Sequence, residues 1–375
     1  MVEIPFNSIA YEYREIVADL QKGIERLAKR SALVLGQEVD GFERDLARYL
    51  GCSETVGVGS GTDAILLALL ALGLEEDDEV IIPGNICVAV MEALVRSGAA
   101  AVVADLDAEN FALSLKEARK AVTPRTKAII LVHPYGMPAD IQGFEALARS
   151  RDLTLIEACG QAFGARYRGR PVGGFGRIGC FSFNPDKVIG GLGDGGAVAT
   201  NDEELASTIR KLRDHGRDGI GLPAGRVGFS SRLDAINALA VSLKLKHIDR
   251  WVGMRCEMGS LYRKRLQGTG LTFQNPGADS TPSYQMLAVL APGDRCELSR
   301  KLKEAGVATD YHYLMAPHDM PAFKDCRCRK QGSLPVTEDL LNRVISLPFY
   351  TGMSQGELEW VTDTIKSVMQ RSGSQ

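Results

Sequence analysis

The chain predicts an α/β protein with a large, doubly wound, mostly parallel sheet, followed by a smaller C-terminal α+β part. Three observations carry this. Short apolar runs alternate with helical patterns between about residues 56 and 200, the runs end on small or polar residues, and the pattern weakens beyond Trp251. A boundary is therefore expected near residue 250, giving a large domain over 1–250 that begins with a helical segment and a small domain over 251–375.

Residues 13–50 read as helical, with Ile16, Leu20, Ile24 and Leu27, then Phe42, Leu46 and Leu50, at helical spacing. Val56–Gly59 reads as a short buried strand that runs through Ser60-Gly61-Thr62-Asp63 into an apolar helix from Ala64. Val80–Ile82, Ala101–Ala104, Ala128–Val132 and Leu153–Ile156 continue the strands, with helices near 114–121 and 140–150 between them. Cys180–Phe183 is the next strand, broken by Asn184-Pro185 because proline cannot donate to a ladder, and Ala197–Ala199 resumes strand character. Helices follow at 202–214, at 234–248, to about Leu266, and at 355–370. In such sheets ligands bind beyond the carboxyl ends of the strands. That places Ser60–Thr62, Pro83–Cys87, His133, Glu157–Gln161 and Ser182–Lys187 on one rim.

Composition excludes several classes. The 375 residues are 45% hydrophobic and 24% charged, enough for a sizeable core. A net charge of −3 gives no footprint for nucleic acid or an anionic membrane. The longest apolar run, Ala64–Leu74, is too short to span a bilayer, and Met1–Pro5 shows neither a basic nor an apolar leader region. The eight cysteines form no CxxC pair and the five histidines are dispersed. A cytoplasmic protein with reduced thiols and no metal is expected.

Two stretches carry chemistry. A strand, a small-residue turn and a helix start at Ser60–Asp63 present free backbone N–H groups to a phosphate, although a plain capped turn reads the same way. Lys187 sits on a strand-end turn followed by a glycine-rich run through Gly196. Taken alone this fits a solvated loop lysine. Walled in, the same amine would lose water, drop in pKa and become a nucleophile for carbonyls.

Taken together the blocks resemble the DegT/StrS-type sugar aminotransferases, a fold-type I, pyridoxal-phosphate-dependent family. The resemblance runs through Gly36-Gln37-Glu38, Gly59–Ala64, Thr123–Ala128, Val132–Gly136, Phe181–Lys187, Gly193–Gly196, Ser231–Asp234 and Ser346-Leu347-Pro348. It implies a keto sugar or cyclitol as substrate, glutamate or glutamine as amino donor, and a biosynthetic pathway for a sugar or secondary metabolite. It implies that Lys187 is the Schiff-base lysine and that Ser60, Gly61, Thr62 and Ser182 surround the cofactor phosphate. Gln161 would donate to the ring's phenolic oxygen. Ser230 would reach the phosphate from a neighbouring chain, which implies a homodimer with shared sites. Tyr311, His318 and Phe349 would line the substrate entrance.

The departures from the family pattern are as informative. Glu157-Ala158-Cys159-Gly160-Gln161 has Ala158 where the family carries the aspartate that pairs with the pyridine nitrogen. Glu157 replaces it only if the strand has ended or bulged, since neighbouring strand side chains face opposite ways. Cys87 stands where an aromatic ring often stacks on the cofactor, Phe163 where a histidine is usual, and Ser230 where an asparagine is usual. These changes point to a cofactor site that is retuned, or to a cofactor held weakly or lost. Three functions stay open: the aminotransferase, a pyridoxal-phosphate enzyme of elimination, dehydration or condensation, and a cofactor-free enzyme or non-catalytic partner on the same fold.

Overall fold

The computed structural model describes residues 4–31, 33–219 and 222–372; Met1–Glu3, part of the stretch read for a leader, lie outside them. The expected helical segment is two helices, α1 (Ala10–Arg30) and α2 (Gln37–Leu50). The break has a backbone cause, because Ser31 and Gly36 take positive φ of 51° and 86°. Strands β1 (Glu54–Val58), β2 (Glu79–Pro83), β3 (Ala100–Ala104), β4 (Thr126–Val132) and β5 (Thr154–Ala158) then alternate with helices α3 (Gly61–Ala71), α4 (Val88–Ser97), α5 (Leu115–Ala121) and α6 (Ile141–Arg151). After the short pair β6 (Arg166–Tyr167) and β7 (Arg170–Pro171) come β8 (Ile178–Ser182) and β9 (Gly196–Thr200), then α7 (Glu203–Arg213), α8 (Ala235–Leu245) and α9 (Ile248–Arg265). The remainder holds β10 (Thr272–Phe273), β11 (Ser280–Thr281), β12 (Leu287–Leu290), β13 (Cys328–Lys330) and β14 (Val344–Leu347), and ends in a helix over Gln355–Ser372.

The large sheet has eight strands in the order β1-β9-β8-β5-β4-β2-β3-β13. Only β9 runs against the rest, so the sheet is mostly parallel, as expected. Its strands are apolar on both faces. Ile81, Val102 and Leu131 enter one core cluster with Phe42 and Phe144, while Val80, Val103 and Ile130 enter another with α3. Several helices start where a side chain meets their orphan N–H groups: Ser60, Ser114, Asp140, Asp202 and Asp234 cap α3, α5, α6, α7 and α8.

A three-stranded antiparallel sheet, β10-β12-β14, forms the small C-terminal layer with its own core around Tyr262, Val289, Ile345 and Phe349. The expected division near 250 falls at the start of α9. The parts beyond it do not all stay together. Strand β13 returns to the far edge of the large sheet beside β3, and Ile4 bridges to Val307 in the small layer. Among the described residues no helix is long and apolar enough to cross a membrane.

Candidate active site

The carboxyl ends of β1, β2, β4, β5 and β8 surround a cavity of about 240 Å³. Of the residues singled out from sequence, Ser60, Gly61, Thr62, Cys87, Ala158, Gln161, Ser182 and Lys187 all line it.

One end is a helix N-terminus. Ser60 Oγ accepts from Asp63 N at 3.0 Å, and Gly61 and Thr62, whose N–H groups fall in the first turn of α3 before the helix's own bonds begin, line the cavity. Gly61 has to be glycine, because a Cβ there would lie 2.5 Å from Ser182 Cβ. Gly196 brings the two chain segments together in the same way, since its Cβ would meet Ser60 O at 2.3 Å. Ser231 locks the turn from outside, accepting from Gly59 N at 3.0 Å and donating to Asp63 Oδ2 at 2.7 Å.

Lys187 lies across the cavity on the turn after β8, where its backbone N–H donates to Asn184 O at 2.9 Å. Its side chain is half-buried. Burial pushes the amine's pKa below its ordinary value, against the opposing pull of Cys87 and Asp186. The turn is clamped by side chains remote in sequence. Gln285 accepts from Val188 N at 2.8 Å and donates to Asp186 O at 2.5 Å. Lys244 donates to Gly190 O at 2.6 Å, and Asn237 Oδ1 accepts from Leu192 N at 2.7 Å. No sequence spacing signals these clamps, which reach the turn from α8 and from the segment before β12.

The floor is different. Val132, Ala158 and Cys180 are register partners on β4, β5 and β8, and all three line the cavity. The register is continuous through Glu157 and Ala158, so no bulge exchanges them. Glu157 points into the opposite face. Its Oε1 accepts from Phe175 N at 2.8 Å and Gly176 N at 2.7 Å, and its Oε2 accepts from Gly173 N at 2.8 Å and lies 3.1 Å from His133 Nε2. His133 Nδ1 accepts from Ala139 N at 3.1 Å, so the ring proton sits on Nε2 and donates to Glu157. Burial alone would raise the Glu157 pKa. The bonds from His133, Gly176 and Gly173 outweigh it and hold the carboxyl below its ordinary value. His133, Glu157 and Cys159 offer ligand atoms within 4.8 Å of one another, but these hydrogen bonds already occupy the imidazole and the carboxylate.

The walls hold Cys87, half-buried ahead of α4, and Gln161. Gln161 accepts from Tyr135 N at 3.0 Å and donates to the Tyr313 hydroxyl at 3.1 Å. Burial, with Cys87 and Tyr135 nearby, pushes the Tyr313 phenol well up, so it stays a neutral donor. Asn85 Oδ1, also at the cavity, is buried without a hydrogen-bond partner.

Three residues expected at the substrate entrance lie outside the cavity lining. Tyr311 does not line the cavity; it lies under the Arg295 guanidinium, 4.8 Å from ring centroid to carbon, and Tyr313 takes the place expected for it. His318 stands 3.5 Å from Asp319 on a separate turn, and Phe349 is buried in the small-layer core. Phe163 is buried in the large core, stacked on Tyr49 at 5.6 Å, so the position without a histidine serves packing. Ser230 is exposed, outside the cavity, and accepts from Arg232 Nη2 at 2.8 Å.

A sheet of this topology with a lysine turn facing a capped helix start defines a class, and comparison of the whole chain agrees. Residues 14–366 match the DegT/DnrJ/EryC1/StrS aminotransferase family, and the chain belongs to it. It is 37% identical over 369 residues to the erythromycin biosynthesis sensory transduction protein EryC1 of Saccharopolyspora erythraea, covering 98% of this chain and 100% of that one. It is 35% identical over 369 residues to the dTDP-3-amino-3,4,6-trideoxy-alpha-D-glucose transaminase of Streptomyces venezuelae, covering 98% and 97%. The crystal structure of S. venezuelae DesV in complex with a ketimine intermediate superposes with a TM-score of 0.94 at 35% identity, over 99% of this chain and 100% of that chain.

Proposed function

We propose that this chain is a pyridoxal-phosphate-dependent aminotransferase acting on a keto sugar, carried as a nucleotide sugar, or on a cyclitol, in a biosynthetic pathway for a sugar or secondary metabolite. Glutamate or glutamine is the amino donor. One observation carries the reading: a half-buried amine, Lys187, faces a capped helix N-terminus across a cavity of about 240 Å³.

The residues fit the cofactor at two of its ends. Gly61, Thr62 and Ser182 would hold the phosphate through N–H groups and hydroxyls, helped by the helix dipole. Lys187 would anchor the aldehyde end. They do not fit a protonated ring nitrogen, since Ala158 supplies no acid. Pyridoxal 5′-phosphate, when bound, supplies a carbonyl that takes up an amine and a ring that withdraws electrons from the adjoining carbon. Burial lowers the pKa of Lys187, which makes its amine a readier carrier of a proton inside the cavity than a solvated lysine. The neutral Tyr313 hydroxyl and the Gln161 amide orient a polar substrate edge on the same wall.

The exposed loop that carries Ser230 supports a homodimer with shared sites, because Leu222 is 53%, Val227 91% and Phe229 37% exposed in the single chain. The reading places the enzyme in the cytoplasm, with small-molecule partners and no nucleic acid or membrane. A second reading, elimination or dehydration on the same cofactor, is favoured by Ala158. It predicts a product without net amino transfer.

The test is a titration of apo-protein with pyridoxal 5′-phosphate, followed by visible absorbance, for wild type and Lys187→Ala. A lysine-dependent band and amine transfer from glutamate to a nucleotide keto sugar support the first reading. A band with no transfer supports the second, and no band in wild type removes both.

A further inference from the structure

Building on the cofactor reading above, we propose that this chain holds the ring nitrogen of its cofactor as a neutral pyridine, because the floor beneath it carries no acid. The floor residues Val132, Ala158 and Cys180 offer two aliphatic groups and a thiol. The Cys180 S–H donates to Ala64 O at 3.5 Å, and burial, with Glu157 nearby, pushes its pKa up, so no thiolate stands there. The adjacent carboxylate of Glu157 points away, and both of its oxygens are engaged. Among the described residues that line the cavity, Asp194 alone is acidic. It is exposed, and its Oδ1 accepts from Asn184 Nδ2 at 3.1 Å.

A pyridinium over such a floor would be a buried cation with no counter-charge. Desolvation lowers the pKa of a cation, and no partner here raises it again. An acidic or guanidinium partner at that atom is how such sites set the ring's charge. Here both are missing, and the pinned register of β5 prevents Glu157 from moving in. A neutral nitrogen withdraws less charge from the reacting carbon. Amine exchange therefore slows, while reactions in which a departing group carries the charge away are spared.

The experiment loads wild type and Ala158→Asp with pyridoxal 5′-phosphate labelled with 15N in the ring and reads the nitrogen's chemical shift. We expect a neutral-pyridine shift in wild type and a pyridinium shift in Ala158→Asp. Amine transfer from glutamate should rise about ten- to a hundredfold in the variant, the worth of one charge-assisted hydrogen bond in the transition state. A pyridinium shift in wild type overturns the inference and leaves the cofactor reading intact. Failure of wild type to bind the cofactor at all overturns both. If Ala158→Asp does not fold, the wild-type spectrum alone decides.

Discussion

Two ends of one cavity are built by opposite means. At the helix-start and lysine end, polar groups are placed by a dense set of contacts: the Ser60 cap, the Ser231 bridge, and the clamps from Gln285, Asn237 and Lys244. At the floor the nearest acid is turned outward and the cavity side is apolar. The contrast teaches that the hydrogen-bonded cup and turn and the apolar floor are built by separate sets of residues. On the reading proposed above, the first set would hold the cofactor and the second would set its ring's charge, so one side chain could change the second without the first.

The largest expected effect lies at the gripping end. Lys187→Ala should abolish the lysine-dependent absorbance and lower turnover by about 10²–10⁴-fold, the usual contribution of a positioned proton carrier. Unchanged turnover would erase the distinction between the two ends.

Next is the outward acid. Glu157→Leu should cost about 3–5 kcal/mol of stability by urea denaturation, because it strands His133 and a set of buried N–H groups. The sign with pH follows from the depressed pKa of Glu157. Its contribution is complete above the ordinary value of 4.5 and is lost as pH falls through the lower folded value. The stability gap between wild type and Glu157→Gln should therefore close as the solution is acidified below that point. A gap independent of pH would mean that the carboxylate is not what pins β5.

Gly61→Ala should cost about 1–3 kcal/mol, since its Cβ would sit 2.5 Å from Ser182 Cβ. It should also weaken cofactor binding measured by absorbance titration. Gln285→Ala is expected to cost no more than that, about 0.5–1.5 kcal/mol for each of its two bonds to the lysine turn. It should shift the pH profile of Lys187 while the phosphate affinity stays close to wild type. A loss of phosphate affinity instead would show that the turn and the cup are one unit.

Much of this was legible in the sequence because it rests on local periodicity. The strand runs, the helix starts and the opposite facing of Glu157 and Ala158 follow from repeats of two and 3.6 residues. The gathering of Ser60–Thr62, Gln161, Ser182 and Lys187 follows from where parallel strands end. The antiparallel β9 inside an otherwise parallel sheet was not legible, since strand direction depends on the connection and not on the run itself. Nor was the return of β13 to the large sheet, because Cys328-Arg329-Lys330 has neither length nor alternation. Tyr311 and Tyr313 lie in a loop without a period, so the choice of which ring faces the cavity is made by packing against Arg295 and Gln161. Gln285 lies 97 residues from the N–H group it holds, and no pattern marks it.

The anchoring of Glu157 also bears on how such a site can change over time. With β5 fastened from its far side, the residue at 158 can be exchanged without sliding the strand or disturbing the cup and the lysine turn. A substitution there changes the chemical character of the cavity floor, while the hydrogen bonds that hold the cup and the lysine turn come from other residues.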